Sequence, residues 1–291
     1  MEFYQIYNPL TAHPFECSQN YMEFIPCHAL KPYIKCFWGT PKPIVSKVEN
    51  AENQENSTRE IITPDTCMDI IFRVNFTENR IQSSFCGIDD RTFSGGSKND
   101  KEEVIFTFGI RFYAWSGILF AEESMRNTRN QFFDAGYHFD KIKRKIEAML
   151  FDVKDMEELI AVSEKILLEQ LKESRKNSLV TEAVGIILAN KGRLQAEQLS
   201  KELHISNRQL ERVFQEYIGI SPKSLSAMVR YQYLWNDILF TPQFNILDGV
   251  HKYGYTDQSH LLRDFKKFHS INIAEAKRYA MKDVAFLQDK I

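Results

Sequence analysis

The feature that most constrains this sequence is an internal repeat. Leu210-Glu-Arg212-Val-Phe214 returns as Leu261-Leu-Arg263-Asp-Phe265, an offset of 51 residues. The same layout surrounds each copy: an amphipathic helix (near Gln195 to Leu203, and near Ile246 to Tyr253), a tight turn, and a second helix opened by Ser206 or Asp257. Side chains of that kind accept hydrogen bonds from the orphan N–H groups of a first helical turn. The second turn holds Gly254, where a left-handed backbone is inexpensive; the first has His204 in its place. Two helices meeting through such a turn make a helix-turn-helix, so the repeat predicts a pair of them.

A helix-turn-helix matters because the major groove of B-DNA, about 12 Å wide, admits one α-helix whose outward side chains reach base edges. In the first copy Leu210, Val213 and Phe214 face inward and leave Asn207, Arg208, Glu211 and Arg212 outside. In the second, Leu261, Leu262 and Phe265 pack and leave Gln258, Ser259, His260 and Arg263 exposed. These are base-reading residue types: Arg suits guanine, Asn and Gln suit adenine, Glu accepts from cytosine. Ser206, Lys223, Arg230, Lys266 and Lys267 stand where they can hold phosphates. The helix between the units, about Pro222 to Phe240, is 19 residues. At ~1.5 Å per residue it spans roughly 28 Å, which brings two reading helices toward the ~34 Å between successive major grooves. One exposed Arg on a helix is ordinarily a solvated face. Two at equivalent positions of a repeat point to double-stranded DNA as partner.

Charge divides along the chain in the same sense. From Arg175 to Ile291 there are 17 Lys and Arg against 12 Asp and Glu, a surplus of five, so the remainder of a chain of net charge −2 carries −7. An acidic front joined to a basic back fits a back half that meets a polyanion. With 291 residues, 43% hydrophobic and 26% charged, the chain has apolar material for two domains and is not a disordered or low-complexity protein. No apolar run approaches 18 residues, and Met1-Glu-Phe-Tyr-Gln-Ile has no signal-peptide character, so the expected place is the cytoplasm, without membrane contact.

The motifs of the back half resemble the C-terminal DNA-binding domain of the AraC/XylS family of bacterial transcription regulators. The resemblance covers about residues 178–281, through Leu199-Ser-Lys-Glu-Leu, Leu210-x-Arg-x-Phe, Gly219-Ile-Ser-Pro222, Arg230 and Tyr253-Gly-Tyr-x-Asp-Gln-Ser-His-Leu-x-Arg-x-Phe-Lys-Lys267. It places the family's base-facing slots on Arg208, Glu211, Arg212, Gln258, Ser259, His260 and Arg263. Where the family continues Gly-x-Ser-Pro-x-x-Tyr-Arg, this chain has Ser270-Ile-Asn-Ile-Ala-Glu-Ala-Lys277, a departure that bears on the seating of the final helix. The likeness implies a transcriptional activator, with RNA polymerase as a further partner.

Residues 22–112 read as β-rich, with apolar runs such as Met68-Asp-Ile-Ile-Phe-Arg-Val and Val104-Ile-Phe-Thr-Phe-Gly-Ile-Arg-Phe, the pattern of a barrel or sandwich. Glu49 to Ser57 is too polar to bury and reads as an inter-strand loop. Through Pro64-Asp-Thr-Cys-Met-Asp-Ile-Ile-Phe, Phe85-Cys-Gly and Phe108-Gly-Ile-Arg-Phe-Tyr-Ala-Trp, this half is similar to the sensor domain of a subset of the same family, over about residues 21–125. That likeness implies a cupin-like β-barrel, a dimerising helical pair and a small effector bound in the barrel. Trp38, Asp69, Phe72, Phe108, Arg111, Phe112 and Trp115 can line such a pocket, although strand alternation puts about half of them on the wrong wall. An Arg in a strand otherwise apolar needs a partner, and Asp69, Asp65 or an anionic effector could serve Arg111.

After about Asp134 the pattern turns helical. Ile142, Ile146, Met149 and Leu150 form one face; Met156, Leu159, Ile160, Ser163, Ile166, Leu167 and Leu171 form a second stripe that either packs on its own barrel or pairs with a second copy. The expected fold is thus α+β: a cupin-like β-rich sensor domain over residues 1–134, a helical dimerisation element over 135–171 that makes a homodimer through 140–171, a linker over 172–180, and an all-α DNA-binding domain over 181–291 with two helix-turn-helix units joined by a linker helix. His13 and His28 are isolated and no His-x-His occurs, so no metal, no cofactor, no catalytic residue and no enzyme activity are expected. The five cysteines (Cys17, Cys27, Cys36, Cys67, Cys86) have no metal or redox spacing and read as buried thiols. Their concentration in the front half keeps a second reading open, a regulator whose sensor is a redox or alkylation-sensitive thiol.

Overall fold

The computed structural model describes residues 2–10, 21–40, 44–46, 60–95, 103–278 and 280. The polar stretch from Glu49 to Ser57, His13 and Cys17 lie outside them. After a short helix α1 (Phe3–Ile6), the described residues of the front half form nine strands: β1 (Met22–Phe24), β2 (Ile34–Gly39), β3 (Ile44–Ser46), β4 (Glu60–Ile62), β5 (Cys67–Asn75), β6 (Arg80–Cys86), β7 (Phe93–Gly95), β8 (Glu103–Tyr113) and β9 (Phe132–Asp134). Seven form one antiparallel sheet in the order β1-β2-β8-β5-β6-β9, with β3 also on β8; β4 and β7 make a separate pair. Among the described residues the expected barrel is therefore an open sheet with a two-stranded companion, not a ring closed by hydrogen bonds.

The long β5–β8 pairing runs from Cys67↔Tyr113 to Asn75↔Ile105 and assigns each side chain to a face. Met68, Ile70, Phe72 and Val74 lie beside Phe106, Phe108, Ile110 and Phe112, all buried, with Phe37 and Phe85 in register from the neighbouring strands. Helix α2 (Gly136–Glu147) covers this face with Phe139, whose ring sits 5.0 Å from Phe85 and 5.8 Å from Phe112. Burying each such ring contributes about 2 to 3 kcal/mol. Phe72, Phe108 and Phe112 are core, and the expectation that they line an effector pocket is corrected: period-two alternation turns them away from Asp69 and Arg111.

Helix α3 (Met156–Gln170) packs against α2, and Met156, Leu159, Ser163, Ile166 and Leu167 are buried in the same chain. Ile142, Ile146 and Leu150 are buried with them. The apolar stripe offered for a homodimer through residues 140–171 is thus largely buried inside the protomer, where α2 packs against it, with Ile160 and Leu171 half-buried.

The back half consists of α4 (Ser178–Ala189), α5 (Ala196–Glu202), α6 (Asn207–Tyr217), α7 (Pro222–Phe240), α8 (Ile246–Tyr253) and α9 (Gln258–His269). Helices α5–α6 and α8–α9 are the two repeat units. Both turns use a left-handed residue, His204 at φ +53° and Gly254 at φ +66°. Ser206 Oγ accepts from Gln209 N at 3.2 Å and Asp257 Oδ1 accepts from His260 N at 2.7 Å, so both N-caps form, each stabilising its helix by about 1 kcal/mol. Helix α7 is buried on most sides, through Leu225, Met228, Val229, Tyr231, Gln232, Leu234, Trp235 and Ile238, and packs on α4, α6, α8 and α9.

The two halves are in contact. Tyr233 Oη donates to Ile6 O at 2.9 Å, Leu10 N donates to Gln232 Oε1 at 2.8 Å, and Gln232 Nε2 donates to Pro64 O at 2.7 Å. At the end of α6, Met125 N donates to Glu216 O at 2.8 Å, and Arg126 pairs with Glu216 at 2.9 Å. Gly219, at φ +86°, sits where a Cβ would lie 2.6 Å from Met125 O.

His269 closes the seam between α7 and α9. It is fully buried, its Nδ1 lies 2.7 Å from Tyr231 Oη, and its ring stacks on Phe265 at 4.7 Å and meets Trp235 edge-on at 4.5 Å. Burial pushes its pKa down from 6.5 to about 3, so it is held neutral. A base with a depressed folded pKa leaves the unfolded chain binding the extra proton, so its stabilising contribution is complete above about pH 6.5 and is lost as pH falls toward 3. The melting temperature of the wild type is expected to fall over pH 6.5 to 4 more steeply than that of His269→Phe, which keeps the ring. Parallel slopes in a pH series of thermal melts would contradict this.

Candidate nucleic-acid interface

Helices α6 and α9, the second of each repeat unit, each bury one face and present the other. In α6, Leu210, Val213 and Phe214 are buried, while Asn207, Arg208 and Arg212 are exposed and Glu211 is half-buried, its carboxyl pushed up by partial burial. In α9, Leu261, Phe265 and Phe268 are buried, Gln258, Ser259 and Arg263 are exposed, and His260 is half-buried with its ring 5.2 Å from Tyr255. Leu262, expected to pack, is instead 37% exposed. Arg263 is lightly tethered through Nε to Ser259 O at 3.3 Å, which leaves the rest of its guanidinium outward. Lys223, Lys266 and Lys267 are exposed, and Lys267 rests over the ring of Phe268 at 4.8 Å. Ser206 is exposed, with its hydroxyl engaged as the cap of α6.

Arg230 is a correction. Its Nη2 donates to Asp264 Oδ2 at 2.7 Å, its guanidinium lies 4.3 Å over the ring of Tyr255, and its side chain is 15% exposed. A cation held between a carboxylate and an aromatic face joins α7 to α9 and is no longer offered to a phosphate. Arg230→Ala is accordingly expected to destabilise the DNA-free protein by about 1 to 3 kcal/mol, since it leaves Asp264 without its partner. Arg212→Ala and Arg263→Ala should stay within about 0.5 kcal/mol of wild type. Chemical denaturation at neutral pH separates the cases, and equal losses would contradict this division of labour.

On the other face of the sheet the register aligns Cys36, Arg111, Asp69 and Cys86 in one row across β2, β8, β5 and β6. Arg111 is 4% exposed; its Nε donates to Asp69 Oδ1 at 2.9 Å and its Nη2 to Asp69 Oδ2 at 3.2 Å, and Asp65 Oδ2 stands 3.4 Å from Nη1. Burial alone would lower the arginine's pKa, but Asp69 and then Asp65 hold it well above its ordinary value. Trp38 Nε1 donates to the same Asp69 at 2.8 Å. Both internal partners anticipated for Arg111 are thus present, and Glu23, at 3.9 Å, is a third that the sequence pattern did not reveal. Of the expected effector residues, Trp38, Asp69 and Arg111 converge on a cavity of about 90 Å3 that is also lined by Asp65, Cys67, Cys86 and Asp89. Trp115 does not: it stacks on Tyr113 at 4.8 Å and meets Phe3 of α1 at 5.4 Å.

Burial raises the pKa of Cys36, Cys67 and Cys86, and in each case neighbouring carboxylates push further in the same direction. Thiols held protonated are poor nucleophiles, which weighs against the thiol-sensor reading for these three. Among the described residues there is no group of His, Cys, Asp and Glu fit for a metal ion, and no helix is long and apolar enough to cross a membrane.

The family described as "Helix-turn-helix domain" matches residues 199–279, and a "Domain of unknown function (DUF6597)" matches residues 22–134. No curated protein matches the chain. Among solved structures, it is similar to ToxT from Vibrio cholerae at 13% identity and TM-score 0.40, over 84% of this chain and 98% of that one. It is similar to the C-terminal domain of AraT, a response regulator from Geobacillus stearothermophilus, at 23% identity and TM-score 0.34, over 36% of this chain and 87% of that one. A probable AraC family transcriptional regulator from Rhodopseudomonas palustris is similar at 24% identity and TM-score 0.32, over 36% of this chain and 98% of that one. Residues 199–279, which hold both reader helices, are thus a helix-turn-helix domain.

Proposed function

We propose that this chain is a cytoplasmic, sequence-specific DNA-binding transcriptional regulator of the AraC/XylS type, not an enzyme. The observation that carries the reading is the pair of reader helices, α6 and α9, each with an exposed polar face bearing an arginine at the equivalent repeat position. Arg208, Arg212 and Arg263 are the guanine-reading candidates, Asn207 and Gln258 the adenine-reading ones, and Glu211, Ser259 and His260 complete the faces. Ser206, Lys223, Lys266 and Lys267 supply backbone contacts, and with them the salt-dependent part of affinity. The front half serves as the regulatory domain and takes a small effector. The motif likeness favours an activator, which would also meet RNA polymerase.

The test is a mobility-shift series with the full chain on duplexes selected from a random pool, repeated across salt concentrations. Sequence-specific retention is expected. Arg212→Ala or Arg263→Ala should each cost about 1 to 3 kcal/mol on the selected site and relax base preference there, whereas Lys267→Ala should weaken binding to every duplex and flatten the salt slope. Equal losses on selected and random duplexes for the arginine variants, or no preference over random DNA, would overturn the proposal.

A further inference from the structure

Helix α9 carries one apolar side chain that its own core does not use. Leu262 follows Leu261 and stands three residues before Phe265, yet it is 37% exposed. The inward stripe of α9 is complete without it: Leu261, Phe265 and Phe268 are buried there, and His269 fills the seam with α7. What surrounds Leu262 on the helix surface is polar. Gln258 stands four residues before it, Ser259 three before, Arg263 one after and Lys266 four after, and all four are exposed. Positions three and four apart are neighbours on a helix, so this leucine lies within the polar face assigned to DNA.

One exposed leucine on a protein surface ordinarily needs no explanation. The repeat supplies an independent reason here. The offset of 51 residues that carries Arg212 to Arg263 also carries Glu211 to Leu262. Both stand four residues after the first residue of their helix, Asn207 in α6 and Gln258 in α9, and each helix is opened by a side-chain cap one residue earlier, Ser206 or Asp257. The two units thus present one slot with two chemistries, a carboxylate in the first and an isobutyl group in the second. A carboxylate accepts from the amine of cytosine. A hydrocarbon group gains from the one apolar feature that a base pair shows in the major groove, the C5-methyl of thymine. Against a polar base edge it would displace water without replacing the lost hydrogen bond.

We propose that Leu262 is a specificity-determining residue of the second unit, selecting thymine at one position of the DNA site by contact with its C5-methyl group. The inference rests on the regulator reading and names the base that this slot takes. Arg263, one residue on, supplies directional hydrogen bonds to a guanine, and Leu262 adds an apolar contact beside it. The units then differ in preference although they share a layout. Helix α6, with Arg212 and Glu211, favours guanine and cytosine; α9, with Arg263 and Leu262, favours guanine and thymine. That difference gives a DNA site a direction that two identical reading faces would not give it.

The experiment uses the full chain and the duplex that it selects from a random pool. Thymines are replaced one at a time by deoxyuridine, which removes the methyl group and leaves every hydrogen-bonding atom in place, and binding is titrated for wild type, Leu262→Ala and Leu262→Glu. Burial of one methyl group corresponds to about three- to fivefold in affinity. One thymine is therefore expected to cost the wild type that factor on becoming uracil and to cost Leu262→Ala nothing. Leu262→Glu, which copies the first unit, should select cytosine in place of thymine at that position when the pool is screened again. The substitutions fall at an exposed site, so melting temperatures of the free proteins should match, and the uracil series on wild type needs no variant at all. A uracil penalty that persists in full with Leu262→Ala overturns the assignment. So does a wild type that selects a site yet is indifferent to each of its methyl groups, which removes this inference and leaves the regulator reading standing. Leu262→Ala that keeps its DNA affinity and loses self-association also overturns it, since the leucine then belongs to a contact between copies. A wild type with no preference among duplexes removes the regulator reading and this inference together.

Discussion

The spacing of α6 and α9 is set by one rigid body. Helix α7 runs 19 residues from Pro222 to Phe240 and is packed by both repeat units. Because α7 packs on α6 of the first unit and on α8 and α9 of the second, it acts as the shared core of both. Its residues Leu225, Met228 and Val229 are fully buried near the end that meets α6, and Tyr231, Leu234, Trp235 and Ile238 continue the buried face past α8 and α9. The Arg230–Asp264 pair and the stacking on Tyr255 lock the angle of α9 on this rod. A helix held by an ion pair at its middle and ring packing at its C-terminal end cannot rotate freely about its axis, which fixes the face that carries Arg263.

The same helix is where the front half takes hold. Gln232 is buried and spends its amide on Leu10 and Pro64, residues separated from it in sequence by more than half the chain. Tyr233 reaches Ile6, and Tyr7 packs against Tyr233 at 5.6 Å. The N-terminal segment thus lies between the sheet and α7, and the position of the sheet relative to the reader helices is read through a few hydrogen bonds and one aromatic cluster. Each such bond is worth only about 1 kcal/mol net.

Much of the helical half was legible in the sequence because its information is local. Caps, turn residues and the inward faces of α6 and α9 follow from spacings of three and four, and Ser206, Asp257, His204 and Gly254 act as those spacings imply. What was missed depends on distant partners. Arg230 looks like any exposed cation until Asp264, 34 residues on, is brought against it. The stripe on α3 carries the same pattern whether its partner is α2 or a second copy, and only the fold chooses. In the sheet, alternation separates two faces without saying which is core. Helix α2 falls on the side of Phe72, Phe108 and Phe112, and that leaves Trp38, Asp69 and Arg111 the opposite face.

That opposite face explains why a charged row survives in the middle of a sheet. Apolar residues at Asp69 and Arg111 would pack well, since replacing a buried ion pair by hydrophobic side chains is often neutral or stabilising. The charge of Arg111 is met on three sides: Asp69 takes it in bidentate fashion, Asp65 stands 3.4 Å from Nη1 and Glu23 3.9 Å. For an effector to change DNA binding it must bind one arrangement of the halves more tightly than the other, by about 1 to 3 kcal/mol for a coupling of ordinary size. Charge-assisted hydrogen bonds to a buried Asp and a buried Arg reach that range singly. Because Asp65 and Pro64 are consecutive, the ion pair with Arg111 and the hydrogen bond from Gln232 of α7 are one residue apart, so the charged face borders the contact with the helical half.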